Sequence, residues 1–287
     1  MSRNQNRLGF EEEKFLQDET PAPFTGQESG PAFNWSVPTE LVELPSKGLF
    51  YPTSHPLHKQ ETVEIRYMTA KEEDLLTSRA LLREGVALDR MLANLLVDRS
   101  IDIGTLLLGD KNALLVAARR TGYGPEYETS VTCPACEEKS EFSFDISEPK
   151  SVEFEEQAKA WGVSYSDEGH VNIKLPMTKA VVTCRLLTSE DEVRLAKELQ
   201  RKEKKKITSS STTDTLRAII VAVNGDSDRV TLESFIQAMP ARDGRTFRMI
   251  YGDITPNIDL TQFFECGNCG HGADLEVPLG IDFFWPG

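Results

Sequence analysis

Four of the five cysteines in this 287-residue chain stand in two CxxC pairs, Cys133 and Cys136 in "TCPACEEK" and Cys266 and Cys269 in "ECGNCGHG". A CxxC turn presents two sulfurs from one knuckle, and two knuckles supply the four ligands that zinc takes in a tetrahedral site. Each pair is followed by an alternating stretch that reads as a strand, the arrangement by which a zinc ribbon faces two β-hairpins across one metal. The chemistry expected of Cys133, Cys136, Cys266 and Cys269 is therefore structural zinc binding, since four thiolates leave no coordination position for water or substrate. A redox dithiol is the alternative, but that chemistry wants its CxxC at a helix N-terminus, and these pairs precede strands. His271 could replace a cysteine; with four thiols present it is expected to face solvent. The odd cysteine count and the tight pairing argue against a secreted disulfide framework.

The spacing is unusual. An ordinary ribbon separates its knuckles by roughly 15 to 20 residues, whereas 129 residues lie between Cys136 and Cys266. Internal repetition accounts for the gap. Thr69–Glu73, "TAKEE", and Thr188–Glu192, "TSEDE", each follow a strand and open an amphipathic helix. Thr69 with Glu72 forms a capping box, the threonine oxygen and the glutamate each satisfying an orphaned backbone N–H. Asp110 is expected to cap the helix "KNALLVAARR", and Asp243 stands in the same relation to "GRTFRMIY". Cys133 lies 23 residues after Asp110, and Cys266 lies 23 residues after Asp243. Apolar positions correspond between the halves: Leu114 with Phe247, Val116 with Met249, Tyr127 with Leu260, and Val131 with Phe264. The second half is 14 residues longer between its caps, an excess assigned to "RKEKKKITSSSTTDT" (201–215) and read as a solvated helix end and a loop.

The elements that must position the cysteines follow from periodicity. "VEIRYMT" alternates Val63, Ile65 and Tyr67 on one face as a strand does, and the leucine-rich stretch from Leu75 to Leu96 repeats at three- and four-residue spacing, as an apolar helical stripe does. "VNIKLPMTKAVVTCRLL" reads as a hairpin turning at Pro176 to Lys179, and a short helix is expected from Phe154 to Trp161. Cys184, on the same strand face as Val182 and Leu186, reads as an inert core thiol. The predicted class is α+β in two similar halves, each a small β-hairpin, a helical bundle and a CxxC zinc-knuckle hairpin, joined by a shared zinc ribbon. The expected organisation is an extended arm over 1–38, a first copy over 39–147, a connector over 148–170 and a second copy over 171–287. The arm is rich in Glu, Gln, Pro, Gly and Ser with scattered aromatics, a composition that orders only against something else.

Composition narrows the function. The formal net charge of -14, from 46 acidic and 32 basic residues, repels a phosphate backbone, and the one basic cluster, Arg201 to Lys206, is too small to reverse that. No apolar run approaches the roughly 20 residues of a membrane span, and "MSRNQNRLGFEEEKF" lacks a signal-peptide core, so synthesis in a cytoplasm is expected. His55, His58 and His170 form no ligand cluster at motif spacing, and "GYGPEY" lacks a Walker lysine or a dinucleotide fingerprint. No catalytic residue is predicted.

"ELPSKGLFYP", "YMTAKEEDLLTS", "LLLGDKNALLVAARRTGYGPEYETSVTCPAC" and the closing "CGNCG" resemble the baseplate hub protein family of T-even-type contractile-tailed bacteriophages. The resemblance covers residues 41–146 and, more weakly, the second half. It implies a non-enzymatic tail structural protein in the hub region of the virion baseplate. Its partners would be other baseplate and hub proteins or the tape-measure protein. A transient assembly chaperone for the hub or tape-measure protein is the alternative. A nucleic-acid-binding zinc ribbon is a third reading; the neutral to acidic residues around the knuckles, "CPACEEK" and "CGNCGHGADLE", speak against it.

Overall fold

The computed structural model describes residues 37–204 and 211–284. The expected N-terminal arm lies outside the described residues save for Val37 and Pro38. The chain opens with two antiparallel strands, β1 (Thr39–Glu43) and β2 (Thr62–Arg66), paired with Val42 opposite Val63. Three short helices follow, α1 (Ala70–Thr77), α2 (Arg79–Glu84) and α3 (Ala87–Leu95). The leucine stripe is thus interrupted, first at Ser78 and again at Gly85, which takes φ of +71° where a side chain would be strained. α4 (Leu108–Tyr123) leads into the first knuckle hairpin, β3 (Glu126–Thr132) and β4 (Lys139–Asp145).

The expected connector carries β5 (Lys150–Ser151), α5 (Phe154–Trp161) and β6 (Ser164–Tyr165). The predicted second hairpin is β7 (Val171–Lys174) with β8 (Val181–Cys184). After it come α6 (Ser189–Lys204), α7 (Ser211–Ile219), β9 (Ile220–Val223), α8 (Arg229–Ala238) and α9 (Ala241–Ile254). β10 (Ile258–Asp259) pairs with β5, and β11 (Thr261–Glu265) with β12 (Gly272–Glu276) forms the second knuckle hairpin. β6, β7, β8 and β9 form the largest sheet among the described residues, in that order. The architecture is mixed α+β with small antiparallel sheets. The Ser/Thr tract departs from the loop expected of it: residues 211–215 open α7, while residues 205–210 lie outside the described residues. Among the described residues no helix is long and apolar enough to cross a membrane.

One apolar cluster runs from Val42 to Phe284 and draws on both halves of the described chain, though not on α2 or α6. α4 lies at its centre. Leu114, Val116 and Ala118 are fully buried, and Gly109 passes so close to the loop before β10 that a Cβ there would sit 2.0 Å from the carbonyl oxygen of Pro256. α9 buries only one face, with Phe247 and Ile250 inward and Met249 47 % exposed. The expected match of Val116 with Met249 therefore fails in burial, because α4 is surrounded and α9 is not. Leu114 with Phe247 and Tyr127 with Leu260 are buried alike.

The two aspartates do not cap their helices. Asp110 is the third residue of α4 and Asp243 the third residue of α9, and each reaches out to the turn of a hairpin. Asp110 accepts from the Ser46 backbone N–H (3.0 Å), the Ser46 hydroxyl (2.6 Å) and the Tyr51 hydroxyl (2.8 Å). Asp243 accepts from the backbone N–H groups of Met177 (2.8 Å) and Thr178 (2.9 Å) and from the Thr178 hydroxyl (2.8 Å). The turns so held read "LPSK" (44–47) and "LPMTK" (175–179), and each ends in a lysine with positive φ, Lys47 at +49° and Lys179 at +58°. The Thr69 backbone N–H and hydroxyl both donate to Glu72, at 3.1 and 2.6 Å. Thr188 treats Asp191 the same way, both at 3.1 Å.

Candidate metal centre

The two CxxC turns fold identically because the same backbone bonds close them. The Cys133 N–H donates to the Glu138 carbonyl and the Glu137 N–H to the Cys133 carbonyl, each at 2.9 Å. Cys266 N–H to His271 and Gly270 N–H to Cys266 repeat the pattern, again at 2.9 Å. The fourth residue after each first cysteine must take a left-handed conformation to close the knuckle. That is Gly270 at φ +68°, where glycine is strain-free, and Glu137 at +58°, where a side chain is not. The flanking strands share one register too, with Thr132 opposite Lys139 in the first hairpin and Glu265 opposite Gly272 in the second.

Facing each other, the hairpins bring all four sulfurs within 4.8 Å of one another. The Cys133 and Cys269 sulfurs lie 3.8 Å apart and those of Cys136 and Cys266 3.7 Å apart. These distances exclude disulfides, whose sulfurs sit about 2.05 Å apart. They match the edge of a tetrahedron built on Zn–S bonds of about 2.3 Å, which is about 3.8 Å. The cluster could hold a metal ion. The backbone N–H groups of Cys136 and Ala135, aimed at the Cys133 sulfur, pull that thiol down to about 6. The His271 N–H pulls Cys269 down as well, but bonds among the crowded sulfurs outweigh it and hold that thiol up at about 12. Four thiolates this close repel one another unless a cation sits among them.

Cys133 and Cys266 are buried, Cys136 is half-buried and Cys269 is exposed. Beneath them a small second core forms from Phe264 with Val131, Phe142 and Leu275. Phe142 meets Phe264 edge-on at 5.4 Å between centroids, and the Asp145 N–H donates to the Gln262 side-chain carbonyl at 3.0 Å, tying the hairpins together on the side away from the sulfurs. His271 is exposed and stands outside the sulfur cluster.

The other histidines do not converge on a metal. The His55 ring stacks on Tyr51 at 4.3 Å, accepts from the Leu57 N–H through Nδ1 (3.1 Å) and therefore donates from Nε2 to the Thr105 hydroxyl (2.8 Å). His58 Nδ1 meets the Tyr51 carbonyl at 2.7 Å. Cys184 is fully buried, and burial pushes its thiol up to about 12, which makes it unreactive. His55 and His170 line a cavity of about 490 Å³ with Arg185, Arg194 and Asp191. Its cations are already used, since Arg185 grips Asp191 at 2.5 and 2.8 Å and Arg194 reaches it at 2.7 Å.

Two buried cations escaped the reading of the sequence. Lys111 bonds the Ser189 hydroxyl at 2.7 Å and Asp89 at 2.8 Å, linking α4 to α6. Arg119 donates to the carbonyls of Phe283 (3.0 Å), Gly124 (3.1 Å) and Glu126 (3.2 Å), pinning the final turn of the described chain beneath the first knuckle hairpin. Their positions within an unbroken apolar helix, Lys111 in its first turn and Arg119 in its second half, were the available signal; helical position alone does not say which polar residue points inward.

A family model described as T4 bacteriophage base plate protein matches residues 39–285. No curated protein and no solved structure matches the chain.

Proposed function

The chain belongs to the T4 bacteriophage base plate protein family, and from that membership we propose that it is a structural subunit of the hub region of a phage tail baseplate, stapled by one zinc ion. The observation that carries the reading is the convergence of Cys133, Cys136, Cys266 and Cys269 at tetrahedral spacing although 129 residues separate the two pairs in sequence. A site with four thiolates is closed to substrate, so its work is stability and not catalysis. The protein's business is then contact with other tail proteins in the virion, other hub subunits or the tape-measure protein among them. The ribbon's outward residues, Glu126, Glu128, Glu141, Asp145, Glu265, Asp274 and Glu276, are exposed and repel a nucleic-acid backbone.

The long gap between knuckles follows if the chain is two copies of one module, residues 39–147 and 171–287, each donating a knuckle across the connector 148–170. Supporting this are the aspartate at the third helical position holding an LP turn, the Thr–acid box before a helix, and the knuckle closed by the same bonds, each found twice and in the same order. The test is mass spectrometry of purified mature tails alongside native mass spectrometry of the reduced protein. The reading expects the chain in finished tails and close to one zinc per chain. A protein present in assembly intermediates but missing from finished tails would be an assembly chaperone instead.

A further inference from the structure

Strand β1 has an open edge. In an antiparallel ladder, alternate residues turn their N–H and C=O away from the partner. The Tyr67 N–H donates to the Pro38 carbonyl and the Leu44 N–H to the Glu61 carbonyl, so residues 38 to 44 bond β2 at even positions, and Thr39, Leu41 and Glu43 present theirs outward. Among the described residues nothing pairs with that edge. It borders a groove of about 280 Å³ floored by Val42, Ala113 and Ala117 and closed on the far side by Ser151 and Ile258. Ser151 also points its backbone into the groove, because the Val152 N–H is the one that bonds Asn257 across to β10. At about 3.3 Å rise, 4.8 Å strand spacing and 10 Å sheet thickness, a strand residue fills about 160 Å³, so the groove takes about two residues.

The other half carries a strand at the corresponding place. β7 leads into its LP turn as β1 leads into its own, which sets Leu41 against Asn172. Asn172 turns its backbone away from β8 and is paired there with Ser164 of β6, a strand of two residues. This comparison rests on the two-copy reading; the open edge itself does not.

We infer that the β1 edge receives an extended segment of a partner protein, which adds one antiparallel strand between β1 and β5 and joins the two small sheets. The groove's charge defines the segment. Glu43 and Glu148 stand exposed at the rim, and the one cation of the lining among the described residues, Arg120, is already paired with Glu40. A lysine or arginine between two apolar residues answers both the carboxylates and the alanine floor, while exposed Leu41 (67 %) gains cover.

The probe is the blocked peptide acetyl-Val-Lys-Val-Thr-amide, offered at millimolar concentration to the purified full chain and read by backbone amide exchange. The Leu41 and Ser151 amides exchange freely without peptide and slow about tenfold with it, the effect of one net hydrogen bond. Leu41→Pro, which removes an N–H that β2 does not use, abolishes the slowing at Ser151, and Leu41→Ala preserves it. A Val-Glu-Val-Thr peptide binds more weakly. Unchanged exchange with peptide overturns the inference, and so does slow exchange at Leu41 in the peptide-free chain, where the edge is already closed. The same two amides are protected in purified tails; absence of the chain from tails would sink the baseplate role while the peptide result still decides the edge.

Discussion

Replacing one cysteine should cost the whole clasp, whichever half it comes from. The metal would join Cys136 to Cys266 across 129 intervening residues. The loop-closure relation for a crosslink of that span gives about 5 kcal/mol of unfolded-state entropy removed. The ribbon cannot replace this from its own packing. Its buried members are Phe264 and two of the cysteines themselves, and a fully buried Phe contributes about 2 to 3 kcal/mol. Ordering the knuckle residues costs about 1 to 2 kcal/mol each. Cys133→Ser and Cys266→Ser are each expected to destabilise by about 5 kcal/mol, and at about 2 to 4 °C per kcal/mol for a domain of this size Tm falls by about 10 to 20 °C. Thermal unfolding followed by circular dichroism in reducing buffer reads this directly, with native mass spectrometry reporting the metal. A strong chelator should reproduce the shift in the wild type and do nothing further to either variant. The double variant is the sharper test: two ligands of one ion give a double mutant no worse than either single, a coupling near the full 5 kcal/mol. Additive losses, or reduced wild-type protein that carries no metal, would refute the shared site.

Glu137→Gly relieves the left-handed backbone of the first knuckle and should raise stability by about 1 kcal/mol, while Gly270→Ala should lower it by a similar amount; denaturant midpoints with metal bound check both. Asp110→Ala leaves two donors of Ser46 and one of Tyr51 unpaired in the core and should cost about 3 to 5 kcal/mol in the same assay. Desolvation pushes the Asp243 carboxyl up, but the Thr178 and Met177 N–H groups and the Thr178 hydroxyl outweigh it and hold it below its usual 3.8. Its contribution is therefore present above pH 3.8 and lost as pH falls through the lower folded value, so Asp243→Asn should flatten the acid limb of a stability–pH profile. Arg119→Lys cannot serve three carbonyls from one ammonium and should cost about 2 kcal/mol, seen as faster amide exchange at Phe283 and Phe284.

Features set by local chemistry were legible in the sequence. Thr69 and Glu72 announced the start of α1, the alternation after each cysteine pair announced β4 and β12, and the shared 23-residue spacing from Asp110 and Asp243 pointed to a common site before any geometry was known. What escaped was set by tertiary surroundings. An aspartate ahead of an apolar helix looks like a cap, yet Asp110 and Asp243 sit one turn in, because the hairpin turns need their carboxylates more than the helix ends do. Val116 and Met249 match in sequence, but only one of their helices is enclosed. The Ser/Thr residues 211–215 looked like a loop because Ser and Thr favour turns, and α7 opens there with its Leu216 and Ile219 buried, packing overriding propensity.

The long reach of the clasp has a mechanical consequence. A ribbon made from adjacent hairpins stabilises only itself. Here the two hairpins follow α4 and the strand after α9, and the other end of α4 is fastened separately to the segment that opens α6. There the Ser189 N–H donates to the Leu106 carbonyl at 2.8 Å, the Leu108 N–H donates to the Leu187 carbonyl at 3.3 Å, and Lys111 reaches α6. With a metal bound, two remote fastenings with a shared core between them would resist hinge motion in a way that either alone would not, because rotation about one must break the other. Removing the metal should therefore loosen more than the knuckles. Amides of β11 and β12 should exchange fastest on chelation, those of α9 next, and those around Leu107 and Ser189 last; loss confined to the two knuckles would show that the lower fastening holds the halves together without help from the clasp.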